Sequence, residues 1–394
     1  MVRMVGTTVR GLRAPIVKEG DNIAEIAVAT VLKAVENEGF ALHDKDVLAI
    51  TESVVARTQG NYASVAAISK DVNNKFQGDI AVVFPILSRN RFSPILEGIA
   101  KSGKKIYLVL NYPCDEVGNH LMNVDDMDAK GLNPYSDVLN EAQYRELFGA
   151  EVLHPFTGID YVSYYRSLIG DKLEIIFAND AREVLKYTKE IIVANIHERF
   201  RTKKRLLAAG AQKVLTLDEL LNAPVEGSGY NEKFGVLGSN KATDDSIKLF
   251  PRECQPLVEK IQAELLAKTG KKLEVMVYGD GAFKDPVGKI WELADPVVSP
   301  GFTSGLNGLP NEIKIKYVAD NELGDLSGEA RTAKMKERIS SKNSNLVGTN
   351  ATLGTTPRQL TDLLGSLCDL TSGSGDKGTP IVLVQGYFDN YADE

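Results

Sequence analysis

The chain has 394 residues, 43% of them hydrophobic and 25% charged, with a formal net charge of −7 and a pI near 5.4: material for two or three ordinary soluble domains. The acidic balance argues against a general nucleic-acid binder, which neutralises many phosphates with Lys and Arg. Cys114, Cys254 and Cys368 are far apart and form no CxxC or Cys/His cluster, so neither a disulfide framework nor a zinc site is indicated; no window approaches the roughly 20 apolar residues of a membrane span, and without an apolar signal core in MVRMVGTTVRGLR a cytoplasmic location is the expectation.

The chain opens with a predicted strand, Met4 to Val9, and a loop, Gly11 to Asp21. Ile23, Ile26, Ala27, Val31 and Val35 recur at helical spacing and predict a helix from Ile23 to Glu38. A buried strand follows, Asp46 to Thr51. The alternation continues as helix Ser64 to Phe76, strand Ile80 to Phe84, helix Pro94 to Lys101 and strand Lys105 to Asn111. Such alternation implies α/β layers.

From about Pro113 the composition turns acidic and polar, then aromatic in HPFTGIDYVSYYRSL. Strands are predicted at Leu173 to Asn179 and Ile191 to Ile196, with a helix at Thr202 to Ala209. The stretch Asn222 to Gly235 reads as an exit linker. The last third carries a helix, Cys254 to Lys268, and a strand, Leu273 to Tyr278. It then holds a Gly/Pro-rich stretch, a charged helix, Gly328 to Ile339, and a helix that starts at Thr356-Pro357 and buries Leu360, Leu363, Leu364 and Leu367. The expected fold is α+β, with mixed α/β layers: a core from residues 1–115 and 231–394, and an inserted α/β module at 116–230, a substrate platform or lid.

Residues with chemistry to offer fall at strand ends. There is no GxxxxGK[ST] phosphate loop. Gly373, Gly375 and Gly378 spell GxGxxG, but the motif follows a helix and opens the strand Ile381 to Gln385, the wrong context for a dinucleotide fold. Its backbone N–H groups suit either phosphate or a plain turn. Asp280 ends a strand in YGDGAFKDP, with Gly281, Lys284 and Asp285 nearby, which suits a divalent cation beside a nucleotide or an Asp-Gly turn. Asn240 in GSNK is a ligand or a turn cap. Arg57 in TESVVARTQG reaches phosphate or solvent, and SRNRF (Ser88 to Phe92) adds two arginines at a strand exit. His43, His120, His154 and His197 share no metal-binding spacing. Asp160, Tyr161, Tyr164 and Tyr165 form either a wall for a ring-bearing substrate or a packing element.

GLRAPIVKEGD, DVLAITESVVARTQG, FGVLGSNKATDDSIKLFP, VMVYGDGAFKDP and LTSGSGDKGTPIVLVQG together resemble the coenzyme F-420-0:L-glutamate ligase (gamma-glutamyl ligase) family, over Val5 to Pro113 and Phe234 to Gly386. The resemblance implies a GTP- and Mg²⁺- or Mn²⁺-dependent ligase that joins L-glutamate or a similar amine to a small-molecule carboxylate acceptor through an acyl phosphate. It implies a homodimer and calls for neither nucleic acid nor membrane. By that resemblance Leu12, Arg13, Ala14, Pro15, Glu52, Ser53, Arg57, Asn240, Ser372, Gly373, Ser374 and Gly375, in a loop running to Thr379, contact nucleotide. Asp280 and Gly281 sit at the metal, with Asp285 or Asp160 to complete the carboxylates, and Asp280, Arg57 and Lys284 act on the transferring phosphoryl group. Asp160, Tyr161 and Tyr164 face the acceptor. The chain departs from the family pattern at Leu237, where an Asp is expected, at Ser374, where an amide side chain is expected, and in AFKDP. These departures motivate the alternative of a degenerate, non-catalytic nucleotide or metabolite binder.

Overall fold

The computed structural model describes residues 4–372 and 375–393. Its architecture is α+β, with two principal sheets. The first sheet runs in the order Thr8–Leu12, Ile381–Gln385, Val47–Thr51, Glu274–Tyr278, Gly301–Phe302. Only the Val47–Thr51 and Glu274–Tyr278 pair is parallel. Alternation along each strand decides which layer a side chain joins. Leu48, Ile50, Val275, Val277, Ile381 and Leu383 pack under the helices Ile23–Glu38 and Cys254–Thr269. Val47, Ala49, Met276, Val382 and Val384 pack on the other face against Leu364 and Cys368 of the helix Leu360–Ser372. With both faces covered, these strands read as unbroken apolar runs.

The second sheet is ordered Leu139–Asn140, Leu173–Phe177, Ile106–Leu110, Ile80–Val83, Glu190–Val193, Lys213–Thr216, parallel throughout except at the Leu139–Asn140 edge. Taken by chain position, its parallel strands lie in the order third, second, first, fourth, fifth, the doubly wound arrangement that reverses between Ile80–Val83 and Glu190–Val193. This corrects the expected division of the chain. Ile80–Val83 and Ile106–Leu110, assigned by sequence to the 1–115 core, pair with strands from 173 to 216, so a boundary at 115/116 cuts through a single sheet. The helix Val65–Lys75, whose first turn is capped by Ser64, also belongs to that layer, packing Ile68 and Val72 with Leu96 and Ile99.

Other differences are local. The first strand is Thr8–Leu12 rather than Met4 to Val9, because its register on Ile381–Gln385 pairs Thr8 with Gln385 and Leu12 with Ile381. The final helix begins at Leu360, not at Pro357. The segment after Thr51 forms a short helix, Glu52–Thr58, and the aromatic run becomes the helix Tyr161–Ile169. A three-stranded ribbon of Asn240–Lys241, Ser246–Lys248 and Tyr62–Ser64 joins the chain where it leaves and re-enters the first layer.

Candidate functional site

Four connections meet at one end of the first sheet. Leu12 and Ile381 are the last pair of their register, and the Ala14 N–H donates to the Gly378 carbonyl at 3.2 Å. The Thr51 N–H donates to the Pro380 carbonyl at 3.0 Å, which sets the start of the Glu52–Thr58 helix beside the same loop. A Cβ at Gly11 would lie 3.0 Å from Thr379. Leu12, Arg13, Ala14, Pro15, Glu52, Ser53 and Gly375 are therefore gathered at one end of the sheet, with Ser372 closing the preceding helix. Gly373 and Ser374 lie outside the described residues. Leu12 turns its side chain into the core, so it offers this edge its backbone. Arg57 is exposed in the last turn of its helix, five positions and about 7.5 Å of axial rise beyond Glu52.

Asp280, two residues past the Glu274–Tyr278 strand, opens at the same end. The chain passes closely here: a Cβ at Gly279 would lie 2.1 Å from Asp295 Oδ2, and one at Gly281 would lie 2.8 Å from the Ser366 Cα. Glycine is what lets this backbone donate to side chains around it. The Asp280 N–H reaches Asp295 Oδ2 at 2.8 Å, the Gly281 N–H reaches Asp369 Oδ2 at 3.0 Å, and the Ala282 N–H reaches Ser366 Oγ at 2.8 Å.

Between the two carboxylates sits Arg91, carried by the SRNRF loop at the carboxyl end of Ile80–Val83, beside the reversal point of the second sheet. One guanidinium nitrogen donates to Asp295 Oδ1 at 2.6 Å and another to Asp280 Oδ2 at 2.7 Å. Asn240 holds the same loop from the other side, its Oδ1 accepting from Asn90 Nδ2 at 2.9 Å. Glu52 is paired with Lys248, whose ammonium reaches the two carboxylate oxygens at 2.9 and 2.8 Å.

Negative charge is in excess here. Glu52, Asp280, Glu292, Asp295 and Asp369 all act on this centre, against Arg91 and Lys248. Burial, reinforced by Asp295 and opposed by Arg91, pushes the Asp280 carboxyl well above the carboxylate range. Burial likewise raises Glu52, Glu292 and Asp369, with Lys248 opposing at Glu52. Burial works against the Arg91 cation, but Asp295 and then Asp280 outweigh it. The centre is thus a largely buried anionic cluster with fixed cations, a setting suited to a phosphate-bound cation or an amine.

Several expected site residues are placed elsewhere. Asp285 is exposed, and its Oδ1 accepts from the N–H groups of Val287 and Gly288 at 2.9 and 2.5 Å, closing the turn of its own hairpin. Lys284 is exposed on that hairpin with its ammonium 5.4 Å from the Trp291 ring centre. Gly281 donates its N–H to Asp369. Asp160 caps the helix Tyr161–Ile169 and is fully engaged: Arg145 donates at 2.6 and 2.9 Å, and the N–H groups of Val152 and Ser163 at 2.7 and 2.8 Å. Burial pushes its carboxyl up, but Arg145 and those N–H groups hold it down at about 2. Tyr161 is 4% exposed against His154 and Tyr165, and Tyr164 is half-buried beside Tyr165. The aromatic run is a packing element, because Tyr161 and Tyr165 at helical i, i+4 spacing share the inward face.

The residues that sequence reasoning missed are Asp295, Lys248 and Asp369, together with the pairing of Arg91. Asp295 sits in a stretch with no motif, and Lys248 lies in the FGVLGSNKATDDSIKLFP segment without a chemical signature of its own; their partners are 204 and 196 residues away. Leu237, at the departure from the family pattern, is 1% exposed in the core with Val236 and Phe250. Among the described residues no three His, Cys, Asp or Glu side chains are arranged to hold a metal ion, and the two carboxylates best placed to try are bonded to Arg91. The residues present do not fit a resident metal. Among the described residues, no helix is long and apolar enough to cross a membrane. Among known proteins, the family model described as F420-0:Gamma-glutamyl ligase matches residues 11–386. No curated protein matches the chain.

Proposed function

The chain belongs to the F420-0:gamma-glutamyl ligase family, and on that premise we propose that it is a GTP-consuming ligase that joins the amine of L-glutamate to a carboxylate of a small-molecule acceptor. The observation that carries this reading is the meeting of the Leu12–Pro15 loop, the start of the Glu52 helix, the 375–379 loop and Asp280 at one end of the first sheet. Main-chain N–H groups of glycine-rich turns suit phosphate oxygens. The γ-phosphoryl group passes to the acceptor carboxylate, giving an acyl phosphate and GDP. The amine then attacks the acyl carbon, the C–O bond to phosphate breaks, and inorganic phosphate leaves with the amide formed.

Arg91 and Lys248 supply fixed positive charge beside the transfer, and the acyl-phosphate route needs no protein nucleophile. A carboxyl raised by burial, as Asp280 is, suits the acceptance of the proton that the attacking amine sheds. Magnesium or manganese enters in this reading as part of the triphosphate complex, offsetting charge on its oxygens. Arg57 is long enough to serve the entering nucleotide from its exposed position. We place the reaction in the cytoplasm and the working unit as a homodimer, which light scattering of the purified protein tests.

A second reading, a binder that has lost turnover, is favoured by Leu237, whose side chain is packed where the family pattern has an acid. Thermal unfolding with GTP or ATP, with and without Mn²⁺, on wild type and Asp280→Asn separates the two when followed by a mass-spectrometric assay for glutamylated product. A ligand at 100 times its dissociation constant adds about 2.7 kcal/mol of stability. A nucleotide-dependent shift with product formation, lost in the variant, supports the ligase. A shift without turnover of any nucleoside triphosphate supports the binder, and no shift overturns both.

A further inference from the structure

We propose that Arg91 is the resident cation of this centre, its guanidinium taking the position between Asp280 and Asp295 that a divalent ion would otherwise bridge. The geometry is that of a designated counter-charge. Two nitrogens of one guanidinium bond two different carboxylates at 2.6 and 2.7 Å, with Arg91 15%, Asp280 16% and Asp295 1% exposed. Charge-assisted bonds of this length in a buried setting are strong and directional. Asp295 Oδ2, the oxygen that does not meet Arg91, is taken by the Asp280 N–H. Further inorganic cation binding at this pair would have to displace a side chain that cannot lose its charge.

The surroundings explain why an organic cation serves. Mg²⁺ and its like demand several oxygens at about 2.1 Å in near-octahedral array. Near this pair, Leu237, which lines one cavity with Arg91, is apolar, Glu292 is exposed on its strand, and Asp369 accepts from the Gly281 N–H. A guanidinium asks for less: planar acceptors on two sides, held apart by its own width. Arg91 also carries charge across the molecule, since it rises from the second sheet's reversal point to meet acids at one end of the first sheet's strands. Any metal ion used by the reaction therefore comes and goes with the nucleotide.

The test is made on the full-length protein without nucleotide, so it stands whether or not the nucleotide reading holds. Free Mn²⁺ is followed by electron paramagnetic resonance while protein is titrated, for wild type, Arg91→Met, Arg91→Lys, Asp280→Asn and the double variant Arg91→Met/Asp280→Asn. Wild type and Arg91→Lys leave Mn²⁺ free. Arg91→Met, freed of the guanidinium, binds it about tenfold tighter or more, and the double variant loses that gain. A purely structural role for Arg91 would lower the melting temperature of Arg91→Met without any gain in Mn²⁺ affinity, and that result overturns the proposal. So does tight Mn²⁺ binding by wild type that Asp280→Asn abolishes, an arm that remains decisive should Arg91→Met fail to fold.

Discussion

Lys248→Met keeps the aliphatic stem and deletes the ammonium that both Glu52 oxygens accept from. The two side chains are 9% and 6% exposed, so neither charge has water to turn to once the other is gone. Breaking a buried pair from one side costs roughly 3–5 kcal/mol, against roughly 0–1 kcal/mol for a surface pair. Glu52 has one escape, which is to take up a proton. Burial already raises its carboxyl and Lys248 opposes the rise, so removing the lysine raises it further. A carboxyl raised in the folded state holds its proton where the unfolded chain has lost it. Its contribution to stability is then most favourable below the unfolded value and declines as pH rises through the folded one, by up to about 1.36 kcal/mol per pH unit for a single proton. Urea unfolding of wild type and Lys248→Met at pH 5.5 and pH 8 should show the deficit at pH 8, roughly 3–5 kcal/mol, shrinking at pH 5.5. Adding Glu52→Gln should flatten that dependence and recover part of the loss. A deficit below about 1 kcal/mol, equal at both pH values, would mean the pair behaves as a hydrated surface contact and would refute the reasoning.

Gly235→Ala should cost at least roughly 1–3 kcal/mol, because φ is +51° there and the new Cβ would sit 2.4 Å from the Leu220 carbonyl oxygen; an unchanged urea midpoint would contradict this. Arg145→Met should weaken the protein by roughly 3 kcal/mol at neutral pH. It should also flatten the acid limb: Asp160, held at about 2, lends stability that is complete above its unfolded value near 4 and is lost as pH falls toward 2, so wild type should lose more than the variant between pH 4.5 and 3. Burial raises all three thiols, Cys254 to about 12, and only Cys114 of the three is half-buried rather than buried. A disulfide reagent should therefore modify Cys114 first in the native protein, and Cys254 and Cys368 only on unfolding; rapid reaction of either buried thiol would show that its layer opens readily.

Much of the local structure is set by the sequence alone. The 3.6-residue recurrence of Ile23, Ala27 and Val31 forces a helix wherever an apolar layer is present to receive it, and Asn22 and Ser64 fix two helix starts by capping them. The short, β-branched apolar runs at Val47–Thr51, Ile80–Val83 and Ile106–Leu110 suit strands covered on both faces, and strands they are. Glycines at 279 and 281 mark a backbone that must be approached closely. The motif segments at the two ends of the chain also held enough to identify the family.

What the sequence does not contain is which strand lies beside which. An apolar run buried on both faces carries no mark of its sheet, so Ile80–Val83 and Ile106–Leu110 looked equally at home in the first layer, and only pairing with Leu173–Phe177 and Glu190–Val193 decided it. The charged centre depended on that decision. Arg91 could meet Asp280 and Asp295 only once the second sheet's reversal point lay against this end of the first sheet. Asp160 looks like a free carboxylate until the fold brings Arg145 to it, whereas Asp285 is spent within its own turn on N–H groups two and three residues on. Local propensity is written in neighbours a few residues apart, but the state of a buried charge is set by partners that can be 200 residues away along the chain and one hydrogen bond away in space.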